Sequence, residues 1–146
     1  MLTLVVGVGN AWRGDDAAGL EVARRVRALG GPRVHELEGD ASALIEVWAR
    51  LRHVAVVDAA LSGAPAGTVH RFSAAHGPLP AVALRSSTHA FGVADAIELA
   101  RALDRLPAWL DVYAIEGADF GLGAGLSPPV ARAAEALAER LRGLAG

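Results

Sequence analysis

The chain opens with a strand–turn–helix unit that leaves few folds available to it. Leu2 to Val8 is an unbroken apolar run rich in valine, as expected of a strand covered on both faces. It passes through Gly7-Val8-Gly9. From about Asp16 to Leu29, apolar residues at Ala17, Leu20, Val22, Ala23, Val26 and Leu29 then recur at helical spacing, with Arg24, Arg25 and Arg27 on the other side. Gly30-Gly31-Pro32 stops that helix. Further on, Arg33 to Glu38 reads as a strand, Ala41 to Arg52 as a helix, and His53 to Ala60 (HVAVVDAA) as a buried strand closing on a carboxylate. A short turn, SGAPAG, leads to TVHRF, a strand too close in sequence for a crossover and therefore expected antiparallel or at an edge. Thr88 to Leu103 reads as a helix and Leu110 to Glu116 as the fifth strand. A glycine-rich loop (117–125) follows, then a last helix to about Arg142, with Ser127 as its cap and Pro128 in its first turn. This alternation predicts an α/β fold, a three-layer α-β-α sandwich around a mostly parallel, twisted five-stranded sheet, in one domain over residues 1–146.

Composition removes several kinds of chemistry. The net charge of −2 lacks the basic surface of a general nucleic-acid binder. All 14 basic residues are arginine, so neither a Schiff-base lysine nor a P-loop lysine is available. The absence of cysteine excludes disulfides, a thiol nucleophile and thiolate-held zinc or iron–sulfur clusters, and it suits a cytoplasmic protein. MLTLVVGVGN is too short and glycine-broken for a membrane span or signal peptide, so no membrane partner is expected.

The candidate chemistry collects at one edge of the expected sheet. Asp15 and Asp16 follow the first strand, Asp58 ends the third, and His89 begins the helix of the fourth quarter, all where α/β folds place their sites. Two carboxylates and an imidazole can bind a divalent metal with positions left open for substrate or water; zinc, nickel, manganese and cadmium fit this set comparably. Each residue also has a plainer reading. Either aspartate can be a first-turn carboxylate favoured by the helix dipole, and Ser87 or Thr88 can cap the helix beside His89. Asp58 is harder to explain structurally, because a carboxylate buried at the end of VAVVD is costly without a partner. His35, His53, His70 and His76 read as surface or core residues. Gly7 and Gly9 match two positions of a dinucleotide fingerprint, but Trp12 stands where the third glycine belongs. No G-x-S-x-G elbow is present. A Rossmann- or flavodoxin-like binding module without peptidase activity is the alternative reading.

In order along the chain, GVGNAWRGDDAAG, VVDAA with SGAPAGTV, SSTHAFG and LSPPV resemble the hydrogenase maturation proteases. These endopeptidases trim the C-terminal tail from a nickel-containing hydrogenase large subunit. The resemblance runs from Leu4 to about Leu141 and implies the same fold, a twisted five-stranded sheet between helices. It carries the family's acidic ligand onto Asp16, with Asp15 as cap or neighbour, and its other ligands onto Asp58 and His89, the same residues serving as catalytic groups. It also implies that the divalent metal is nickel supplied by the substrate, a large-subunit precursor; a monomer is expected. Asn10 is expected to fix the glycine turn through its side chain or to contact the substrate, the turn being favoured, and Trp12 to lie exposed beside the site as a docking or packing residue. One departure is Glu38-Gly39-Asp40-Ala41, where many members carry an acidic residue, two glycines and a threonine; it leaves open which hydrogenase class is served.

Overall fold

The computed structural model describes residues 3–77 and 91–144. Five strands, β1 (Thr3–Gly9), β2 (Arg33–Glu38), β3 (His53–Ala60), β4 (Val69–Ser73) and β5 (Trp109–Glu116), form one sheet in the order β2-β1-β3-β5-β4. All pairings are parallel except β4 with β5. The antiparallel strand therefore sits at an edge, as its short connection to β3 requires.

Helices cover both faces. α1 (Ala18–Ala28) and α4 (Pro128–Arg142) bury Val22, Val26, Ala134 and Leu137 against Val5, Ala55, Val57 and Ile115. α2 (Leu44–Val47) and α3 (Val93–Ala102) bury Leu44 and Ile97 against Val6, Val54, Val56 and Val112. Because the central strands are covered twice, consecutive residues such as Val5 and Val6 enter different cores, which is why their sequence is continuously apolar. Each such valine or leucine contributes roughly 1.5–3 kcal/mol through burial. Among the described residues, no helix is long and apolar enough to cross a membrane.

Two local expectations are corrected. The helix expected over 41–52 is a single α-turn, Leu44–Val47. Before it, Asp40 Oδ1 accepts hydrogen bonds from the amide and hydroxyl of Ser42; after it, Arg50 takes a left-handed φ of 66°, and the chain turns into β3. Trp48 anchors the piece, fully packed and donating from Nε1 to the Arg105 carbonyl at 3.0 Å. At the other helix, regular α geometry begins at Ala18, after a 3-10 turn over Gly14–Ala17 that holds both aspartates.

The strand order has a functional consequence. β1 and β3 are adjacent, but the connections leaving their carboxyl ends run to opposite sides of the sheet. That is the topological switch point at which α/β sheets open a crevice.

Candidate active site

Asp16 reaches this switch point because glycine lets the backbone close on itself. A Cβ on Gly9 would lie 2.1 Å from the Asp16 carbonyl oxygen, and the Asn10 amide donates to that same oxygen at 3.2 Å. Gly19 does the corresponding work one turn later: a Cβ there would lie 2.2 Å from the Val57 carbonyl and 2.5 Å from that of Val8. The start of α1 therefore sits directly on the ends of β1 and β3. Asn10 acts as expected, its Oδ1 accepting from the Trp12 amide at 2.9 Å to close an Asx turn. Trp12 is exposed, at 72%.

The two adjacent aspartates are both fully buried, and they differ in role. The Asp15 carboxylate accepts hydrogen bonds from the amides of Ala118 (2.8 Å), Asp119 (3.0 Å) and Ser127 (2.7 Å) and from the Ser127 hydroxyl (2.8 Å). Burial alone would raise its pKa, but these donors outweigh burial and hold it below the ordinary aspartate value. Ser127 thus stands immediately before α4 without capping it through its side chain; its hydroxyl goes to Asp15. Asp15 stitches the β1–α1 turn to the β5–α4 loop. Its neighbour Asp16 lies on the 3-10 turn that packs against β3.

Asp58 is 3% exposed, near the end of β3 and paired in register with Ala114 of β5. Its Oδ1 accepts from the following amide, Ala59, at 2.8 Å. His89 lies outside the described residues. Among the described residues, no group of three or more His, Asp or Glu side chains is arranged to hold a metal; the proposed set contains two of them, Asp16 and Asp58, together with His89.

A second buried carboxylate cluster was not anticipated. Glu116, 1% exposed at the end of β5, accepts from the Ser62 hydroxyl (2.6 Å) and amide (2.8 Å) and pairs with His70 Nε2 at 3.1 Å. Burial would raise its pKa, and the Ser62, His70 and Gly63 donors bring it below the ordinary value. Register places His70 opposite Ala114 and Ala114 opposite Asp58, so His70, Asp58 and Glu116 project from one face at one end of the sheet. The signal was present in the sequence: DVYAIE ends an apolar strand on a carboxylate just as VAVVD does.

Carboxylates at the mouth of α1 fill the position that a phosphate takes in a dinucleotide fold, which counts against the binding-module alternative. Comparison with known proteins points the same way. The family model HycI, hydrogenase maturation protease, matches residues 39–143, a span that includes Asp58 and His89. No curated protein matches the chain. Among solved structures, the [NiFe] hydrogenase maturation protease HybD from Thermococcus kodakarensis is 30% identical with a TM-score of 0.75, covering 97% of this chain and 99% of that one. The hydrogenase maturating endopeptidase HybD from E. coli is 26% identical with a TM-score of 0.72, covering 96% and 89%. These two similarities run through the Asp16 turn, N-terminal to the family match. The chain belongs to the hydrogenase maturation protease family.

Proposed function

We propose that this protein is the endopeptidase that removes the C-terminal extension of a nickel-containing hydrogenase large-subunit precursor once nickel has been inserted. The observation that carries the reading is the coincidence of family membership with two buried aspartates at the β1/β3 switch point. In this reading the ion arrives as part of the substrate, and Asp16, Asp58 and His89 contact it. Oxygen and nitrogen donors suit nickel, and a set of three leaves room for the precursor's own ligands.

The chemistry asked of the chain is modest. Contact with the substrate's ion fixes the scissile peptide at the crevice, where the ion's charge polarises the carbonyl or the attacking water. One of the two aspartates accepts the proton released as the water oxygen bonds to the carbonyl carbon, and returns it to the leaving nitrogen as the C–N bond breaks. Asp15 and Glu116 already have full sets of donors. Their role is to hold the loops; proton transfer is assigned to Asp16 or Asp58 because these are the aspartates that the family resemblance places against the substrate's ion.

The test is intact-mass analysis of a nickel-loaded precursor incubated with the enzyme, beside a nickel-free control. Loss of a C-terminal peptide in the loaded sample alone is the expected result. No mass change with a cognate loaded precursor would overturn the reading.

A further inference from the structure

The β1–α1 turn and the β5–α4 loop are locked into one platform. Besides the four bonds to the Asp15 carboxylate, the Asp15 amide donates to the Asp119 carbonyl at 2.8 Å and the Gly123 amide donates to the Trp12 carbonyl at 2.9 Å. Each strand of the platform is also tightened internally by a side-chain turn: Asn10 Oδ1 accepts from the Trp12 amide, and Asp119 Oδ1 from the Gly121 amide, both at 2.9 Å. On this fixed backbone stand Trp12, 72% exposed, and Leu122, 74% exposed, the two most exposed large apolar side chains among the described residues. The bond from Gly123 to Trp12 ties the backbone next to Leu122 to that of Trp12, four residues before Asp16. Leaving apolar area in water on an ordered backbone beside a site is what a recognition surface requires: the entropy of ordering is spent before the partner arrives.

The loops around this pair carry a one-sided charge. Asp15, Asp16, Glu38, Asp40, Asp58, Glu116 and Asp119 belong to the strand ends and loops of this edge, with Arg13 as the single cation among the described residues there. Such a collar repels acidic chain segments and admits apolar or basic ones. We infer that Trp12 and Leu122 form a preordered lip that grips an apolar stretch of the precursor's C-terminal segment, one without acidic side chains. The inference rests on the proposed function for the identity of the partner, and the lip itself is tested by binding as well as by cleavage.

Trp12→Ser, Leu122→Ser and the double variant are compared with wild type and with Leu103→Ser, an exposed leucine just past α3 at the opposite edge. Nickel-free precursor is titrated calorimetrically, and nickel-loaded precursor is used for steady-state cleavage. The double variant should bind about 30-fold more weakly, the scale of an interface hot spot. Its KM should rise by a similar factor with kcat within about twofold, while Leu103→Ser matches wild type. Equal affinity of wild type and double variant, or no binding by wild type, would overturn the lip. If wild type binds but fails to cut loaded precursor, the proposed function falls, and the titration still decides the lip.

Discussion

The two ends of the sheet are built on opposite principles. At the carboxyl edge, side chains that prefer water are buried: Asp15, Asp16, Asp58 and Glu116 are all within 3% of complete burial, at strand ends and in a turn cross-tied to the neighbouring loop by main-chain hydrogen bonds. At the amino edge, a cleft of about 700 Å³ opens between the ends of α2 and α3, lined by Trp48, Arg50, Arg52, Arg105 and Leu106 among others. There the charged groups remain exposed, and Arg52 lies over the Trp109 ring at 5.8 Å. The amino-edge cleft is lined by exposed charge, whereas the carboxyl edge concentrates buried charge. Burying a carboxylate costs several kcal/mol unless it is compensated, so charge kept inside marks function better than empty space does.

The sharpest way to break this contrast is to remove charge at each edge in turn. Asp58→Asn and Asp16→Asn should each lower precursor cleavage by at least about 100-fold, on the scale of lost proton-transfer groups. Arg52→Gln at the amino edge should leave the rate within about twofold. Cleavage time courses followed by intact mass compare the three, and an Arg52 effect rivalling that of Asp58 would erase the distinction.

The next effect is on stability and separates the two neighbouring aspartates. Asp15→Ala strands three amides and a hydroxyl and should cost about 3 kcal/mol or more in urea unfolding. Asp16→Asn should cost less than half of that while losing more activity.

A smaller effect is its pH dependence. Asp15 and Glu116 both have folded pKa values below the ordinary 3.8 and 4.5. A depressed carboxylate favours the fold when ionised, so this stabilisation is complete above those ordinary values and is lost as pH falls through the lower folded ones. Unfolding free energy should therefore decline below about pH 4.5, and decline less steeply in an Asp15→Asn/Glu116→Gln double variant. An unchanged slope in that variant would assign acid sensitivity elsewhere.

Much of the carboxyl edge is legible in the linear sequence because its signals are local. Valine runs announce β1 and β3, Gly9 lies seven residues from the carbonyl it must approach, and Asn10 closes a turn with Trp12. What the linear sequence does not show depends on distant partners. Ser127 looks like a helix cap until Asp15, 112 residues away, takes its hydroxyl. Glu116 ends its strand as conspicuously as Asp58, but its meaning depends on Ser62, 54 residues back, and on His70 across the edge strand. The length of α2 has a related cause: apolar spacing suggests three turns, whereas the left-handed Arg50 and the anchoring of Trp48 to Arg105 allow one.

In the proposed reaction the buried aspartates of the carboxyl edge meet the substrate's nickel. X-ray absorption at the nickel edge tests it most directly, on loaded precursor alone, with enzyme, and with the Asp58→Ala variant, recorded before turnover. Additional oxygen or nitrogen scatterers at bonding distance, about 2 Å, are expected when wild-type enzyme is added, and fewer with Asp58→Ala. A nickel spectrum unchanged by wild-type enzyme, in a sample that goes on to be cleaved, would contradict it.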